Sequence, residues 1–289
     1  SLFNMTFSIL SVAIISGAVI ERINIRFWIL FCILWPIFVY YPVAHWVWNK
    51  EGWIAQMGAV DFAGGVVVHI TTGFSALVFA KMLGRRNDFF KLKEKYSVGL
   101  SVIGTVFVCI GWLGFNGGST LAFNDISTLS LMNSLASISA GVTTWLVIDI
   151  VFTPHRVSVT GICISIMCSL VAITPAAGYV SVLNAMIIGV VTVSICNIGI
   201  RYFHSIFKID DSCDVFVSHG IGGFVGALLT GVFATSIINP NINNEVDILM
   251  ANFKASIVVA CYAMIMTKVL ISIMSKVISY RVTATTEAE

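Results

Sequence analysis

Two histidines in apolar surroundings are the residues of this chain whose type and spacing suggest chemistry. His69 lies in Asp61-Phe62-Ala63-Gly64-Gly65-Val66-Val67-Val68-His69-Ile70-Thr71-Thr72-Gly73-Phe74. His219, 150 positions later, lies in Asp214-Val215-Phe216-Val217-Ser218-His219-Gly220-Ile221-Gly222-Gly223-Phe224. Each follows an acidic residue, and each is followed at +4 and +5 by Gly-Phe. An ionisable side chain deep in an apolar helix is costly, so it usually lines a pathway or finds a partner. A lone buried histidine reads most simply as a satisfied core residue, whereas two in matching segments point to each other. Two imidazoles in an apolar lumen can share one proton in an N–H···N bond while staying neutral overall, hydrogen-bond a small guest, or relay a proton.

The segments that position them read as membrane spans. Of the 289 residues, 58% are hydrophobic and only 10% charged, with a mean hydropathy of +0.96. Soluble domains average about 25% charged residues. Nine stretches have the roughly 20-residue length needed to span, at about 1–20, 27–46, 62–83, 98–118, 128–152, 157–180, 182–203, 214–236 and 252–275. The expected fold class is therefore an all-α polytopic membrane protein with one membrane domain and no room for a soluble catalytic one. His69 falls in the third span and His219 in the eighth, so they run in opposite directions. That is the pattern of an inverted repeat with a site at the repeat interface. Glycines at Gly64-Gly65, Gly114 to Gly118 and Gly220 to Gly226 suit close helix contact, where packing replaces the hydrophobic effect.

Loop charge sets the orientation. Arg22, Arg26, Arg85, Arg86, Lys91, Lys93, Lys95, Arg156, Lys208, Lys276 and Arg281 fall on one side, and only Lys50 in the loops of the other. The C-terminus is expected in the cytoplasm and residue 1 towards the outside. The charged stretch Gly84 to Ser97 reads as a solvated positive-inside loop, with contact to a soluble partner as the alternative. Lys268, mid-span, reads as packing or snorkelling. Cys32, Cys109, Cys163, Cys168, Cys196, Cys213 and Cys261 are scattered without ligand or disulfide spacing and read as buried free thiols. No nucleophile–base constellation, metal cluster or phosphate loop accompanies the histidines, so an enzyme is not expected, and no cofactor or nucleic-acid partner is implied.

Several motifs together resemble the ammonium transporter family (Amt/Mep, related to Rh proteins). They are Asp61-Phe62-Ala63-Gly64-Gly65 followed by Val-Val-His and closed by Gly84-Arg85-Arg86, then Ala44-His45-Trp46-Val47-Trp48, Gly111-Trp112-Leu113-Gly114-Phe115-Asn116-Gly117-Gly118-Ser119, Thr174-Pro175-Ala176-Ala177-Gly178-Tyr179 and Asp210-Asp211-Ser212-Cys213-Asp214-Val215-Phe216. They occur in the family's order across essentially the whole chain. The resemblance implies an eleven-helix inverted-repeat fold, of which about nine helices are here, a membrane domain over 1–280 and a short cytoplasmic tail over 281–289. It also implies a homotrimer in lipid, with one hydrophobic pore per subunit, in the plasma or inner membrane.

Carried over residue by residue, the resemblance makes His69 and His219 the paired pore histidines. Trp48 and Ser119, with Phe3 above them, match a recruitment site for ammonium. A serine hydroxyl can accept an N–H while aromatic faces attract the cation, and potassium has no hydrogen to donate. Without the motif, Trp48 reads as an interfacial aromatic, as Trp46 and Trp53 do. Phe7 and Phe115 match the stacked rings that close the pore. Phe115 and Ser119 share a face if the helix continues that far. Asp61 is implied to be structural and electrostatic, and a helix cap is an equal reading. Its expected depth leaves it close to water, so it is not taken as a general base. His45 and His204, near span ends, are not pore candidates.

The expected function is inward movement of ammonium or ammonia. The alternatives are an electroneutral ammonia channel of Rh type and a nonconducting structural or sensory subunit that keeps the fold. The resemblance begins within the family's third helix, which places its first two outside this sequence. Closure of the pore would then need those helices or a larger membrane assembly. Val66 and Thr71 stand where the family usually has threonine and asparagine. The tail after Arg281 is short, so most of the family's regulatory C-terminal segment has no counterpart.

Overall fold

A computed structural model describes residues 2–87, 89, 97–152, 157–242 and 247–288. Among these the chain is helical, and its one β-type pairing is an isolated bridge between Ile23 and Arg281. The helices are α1 (Leu2–Val19), α2 (Ile25–Trp35), α3 (Tyr41–Trp48), α4 (Trp53–Gln56), α5 (Thr71–Leu83), α6 (Val98–Gly118), α7 (Asp125–Phe152), α8 (Val159–Ile173), α9 (Val182–Phe207), α10 (Gly222–Phe233), α11 (Ile248–Met274) and the short α12 (Ala284–Ala288). Three π-helical turns, Pro36–Tyr40, Gly65–Ile70 and Phe216–Ile221, lead directly into α3, α5 and α10.

Eight helical segments among the described residues are long and apolar enough to cross a membrane, one of them Ile25–Gln56 taken as a whole. The chain is a multi-pass integral membrane protein. The sixth expected span, 157–180, is shorter as a helix. α8 stops at Ile173, and Thr174 to Ser181 form a buried, turn-rich segment whose carbonyls find partners elsewhere in the chain. Such irregular backbone survives at depth only where protein satisfies it. Asn133 does much of this, donating to the Ala177 and Val180 carbonyls at 2.8 Å each.

Side chains also start the helices. Asn24, Ser97, Ser158, Ser181 and Asp247 each accept a backbone N–H at an N-terminus, a contribution of about 1 kcal/mol apiece.

Two similar π-turn-plus-helix segments, Gly65–Leu83 and Phe216–Phe233, carry His69 and His219. The first of these π-turns packs on α10 and the second on α5, while α11 lies against both helices. Gly73 lies against Gly220, and Gly223 against Gly65, Ile70 and His69. Residue numbers thus rise along one segment as they fall along the other, so the two histidine segments cross antiparallel. The approach leaves no room for a side chain, since a Cβ on Gly73 would lie 2.1 Å from the Gly220 nitrogen.

Candidate functional site

The two histidines meet. His69 Nδ1 and His219 Nδ1 are 3.1 Å apart, and both rings are buried. One Nδ1 therefore donates and the other accepts, which places the accepting ring's own hydrogen on its Nε2. His69 Nε2 is buried with no protein partner, so it can bond a small guest that reaches it. Trp112 stacks on His69 at 5.0 Å and 19° and extends over His219 at 6.3 Å and 17°. Its Nε1 donates to Thr174 Oγ1 at 2.9 Å, fixing the indole. Sequence reasoning placed Trp112 in a motif but gave it no role. The signal was its spacing, three residues before Phe115 on the same helix face.

Above this pair the aromatic residues assemble as a chain of rings. Phe7 and Phe115 stack with centroids 4.0 Å apart at 30°. Phe7 also meets Trp48 edge-on at 5.4 Å and Phe3 at 4.9 Å. Phe3 lies over Gly118, beside Ser119. α6 ends at Gly118, and Ser119 continues with helical backbone angles. The Ser119 hydroxyl donates to the Phe115 carbonyl at 2.8 Å, which leaves its lone pairs to accept from a guest. Trp48 Nε1 donates to the Asp61 carbonyl at 2.9 Å.

Asp61 departs from expectation in depth. Rather than lying close to water, it is 7% exposed. Its Oδ1 accepts from the Gly64 and Gly65 amides at 2.9 and 2.7 Å, and its Oδ2 from Val66 and Val67 at 2.8 and 3.0 Å. Four amides that would be orphaned at a helix start thus converge on one carboxylate. It acts as a cap.

The acidic residue upstream of His219 also needs correcting. Asp61 precedes His69 by eight positions, and Asp211, not Asp214, is the structural counterpart eight before His219. Asp211 Oδ2 accepts from the Phe216 amide at 2.7 Å, while its buried Oδ1 has no partner. Burial, reinforced by the charge of Asp214, pushes its carboxyl up to about 6. A carboxyl held above its ordinary value of 3.8 favours the folded state at low pH, and that stability is lost as pH rises from about 4 through 6. Asp211→Asn should therefore gain on the wild type by about 3 kcal/mol between pH 4 and pH 7. Thermal melts in detergent across that range would read the difference, and parallel curves would refute it.

Several basic residues counted as loop charges bond the chain's own carbonyls and carboxylates. Arg22 is fully buried, donating to the carbonyls of Ala18, Gly84 and Asp210 and to the Ser212 hydroxyl. Arg86 bonds Asp210 through both arms at 2.9 Å and Glu21 at 2.7 Å. Arg281 reaches the carbonyls of Leu83 and Arg85, which ties the tail to the membrane domain. Lys91, Lys93, Lys95 and Arg156 lie outside the described residues.

A family model described as Ammonium Transporter Family matches residues 1–289. This chain belongs to the ammonium transporter family. It is 40% identical over 238 residues to the ammonium transporter MEP2 of Saccharomyces cerevisiae, covering 81% of this chain and 48% of that protein. It is 37% identical over 295 residues to an ammonium transporter of Aquifex aeolicus, covering 100% of this chain and 68% of the relative. The chain thus spans about half the length of the yeast relative. The crystal structure of Saccharomyces cerevisiae Mep2 superposes with a TM-score of 0.88 at 34% identity, covering 96% of this chain and 65% of that one. A structure titled Sensor Amt Protein gives 0.91 at 28% identity, covering 99% and 73%. These relatives of the family are named as transporters or a sensor, and none as an enzyme.

Proposed function

We propose that this chain moves ammonium or ammonia inward across a plasma or inner membrane through a pore lined by His69 and His219. The observation that carries this reading is the 3.1 Å Nδ1–Nδ1 contact of two buried imidazoles beneath a stacked phenylalanine pair. Ammonium is held at the aromatic end by the faces of Trp48 and Phe3 and by the free lone pairs of Ser119. Phe7 and Phe115 block a hydrated cation, so ammonium sheds its water and its proton before passing. Ammonia then bonds His69 Nε2, and the shared imidazole proton gives the released proton a route in the same direction. The basic end, with the tail over 281–289, faces the cytoplasm. The membrane domain covers 1–280 and assembles as a homotrimer in lipid.

The test is ammonium-evoked current from the purified protein in liposomes, with internal pH recorded in parallel. A saturable current supports proton-coupled transport. Ammonia-driven alkalinisation without current assigns the electroneutral channel instead. Absence of both overturns transport and leaves a sensory subunit, the second reading favoured by the likeness to the sensor structure. Trp48→Leu should raise the half-saturating ammonium concentration about tenfold, the scale of one partly desolvated cation–π contact. An unchanged half-saturation would remove Trp48 from the site.

A further inference from the structure

His204, three residues before the end of α9, has an acceptor at each ring nitrogen. Nε2 lies 2.8 Å from Asp214 Oδ1, and Nδ1 lies 2.8 Å from the Ile209 carbonyl oxygen. A neutral imidazole carries one N–H and can serve only one of them. Two short bonds to two acceptors require the imidazolium.

That cation grips a connector under backbone strain. Lys208 and Asp214, which bound it, have φ of 53° and 54°. This is left-handed backbone that residues with side chains seldom adopt unless their surroundings hold them there. The connector's far end launches the π-turn that carries His219. Asp211 accepts the Phe216 amide, the Ser218 hydroxyl donates to the Asp214 carbonyl at 2.7 Å, and Phe203 packs on Phe216 at 5.3 Å. A hold on residues 208–214 is thus a hold on the start of the segment that aims His219 at His69.

We propose that His204 is a positioning residue for the pore: as an imidazolium it fastens the 208–214 connector, and its deprotonation releases the Phe216–Ile221 turn that places His219. Without the second proton, one ring nitrogen presents a lone pair to an oxygen, and that end of the latch is repelled instead of held. The His204 side chain is 32% exposed, so water at the basic end reaches it. The groups facing it are few among the described residues. Asp214 and Asp211 bring negative charge from the connector, and Phe89 meets the ring edge-on at 5.9 Å. Arg85 lies over Phe89 and donates to the Lys208 carbonyl. Asp210 is engaged by Arg86, and on α9 itself Arg201 pairs with Asp149.

The physiological meaning rests on the proposed function, which puts this end in the cytoplasm. A latch that opens on deprotonation would loosen the pore whenever the pH at that end rises.

Hydrogen–deuterium exchange of the whole chain in lipid nanodiscs, corrected for intrinsic rates, tests the latch without any transport. From about pH 6 to about pH 9, exchange in peptides covering 209–221 should rise about tenfold in the wild type, the scale of one lost charge-assisted bond. His204→Arg keeps charge and two donors throughout, and its exchange should stay flat. His204→Gln should exchange fast already at the acid end. Asp214→Asn keeps an oxygen but no charge, and should open the latch at lower pH. Current recorded at fixed outer pH should fall with rising inner pH in the wild type but not in His204→Arg. Flat wild-type exchange, or a His204→Arg protein that tracks the wild type, overturns the latch. Titrating exchange in a protein that shows neither current nor ammonia-driven alkalinisation upholds the latch while removing the transport reading.

Discussion

Alanine in place of His69 or His219 is expected to cut the ammonium-evoked current by about 100-fold or more, the scale on which a positioned acid–base group acts. The two rings share one hydrogen at 3.1 Å, so neither alone can both take a proton from the aromatic end and pass it on. Removing one partner also strands a polar nitrogen in an apolar lumen. It follows that the double variant should be little worse than either single one, because groups acting as a unit are not additive. Liposome currents of the three variants, set beside their melting curves, decide the matter. Two moderate losses that multiply in the double variant would mean that each imidazole acts alone, and the shared-proton relay would fall. Currents that vanish while ammonia-driven alkalinisation persists would show that the rings carry the proton but not the ammonia.

That pairing could be read from the sequence because a repeated segment carries its own geometry. Two similar apolar stretches an odd number of spans apart must run antiparallel, and a costly side chain at matching places then has a partner. The finer match was not legible. Asp214 lies nearer to His219 in sequence, but the equivalent of Asp61 is Asp211, and the matching bonds of the Phe216 and Val66 amides, each five residues on, are what reveal it. Likewise no pattern in Gly65–Ile70 or Phe216–Ile221 marks a π-turn, which adds a residue to the turn and rotates the histidine relative to a regular helix. Trp112 escaped because an apolar face rich in aromatic residues looks the same whether it packs or lines a lumen. Its stacking on both imidazoles becomes evident only once the two histidine segments are brought together.

Burial was the other blind spot. Asp61 lies at a span boundary in the sequence, and boundary residues are usually wet. Here the Phe62 and Ala63 amides bond the carbonyls of Pro175 and Thr174, drawing the Thr174 to Ser181 segment across this end of the site. Arg22 and Arg86 show the same effect at the basic end. A guanidinium counted as a loop charge becomes a bracket between chain segments when enough carbonyl or carboxylate oxygens converge on it. Charge counting assigns a side of the membrane but says nothing of what the charges hold.

Loss of the Asp61 cap is expected to be the most destabilising single change in the site. Burial pushes its carboxyl above the ordinary value, and the four amides pull the other way by favouring the anion. Asp61→Ala leaves those four N–H groups without an acceptor in surroundings that exclude water, and it frees the loop from which Trp48 hangs. The expected cost is about 4 kcal/mol, from several charge-assisted bonds lost together, or a fall of about 10 °C in melting temperature. Asp61→Asn separates a cap from a proton carrier. An amide turns its own N–H donors towards two of the four backbone donors, so a cap should suffer nearly as much from asparagine as from alanine. A proton carrier would lose current but keep the wild-type melting temperature. If Asp61→Asn melts with the wild type and carries no current, Asp61 takes part in proton transfer and the capping account fails. If it melts early, and weaker ammonium binding at Trp48 accompanies the loss, the carboxylate serves by holding the mouth of the pore in shape.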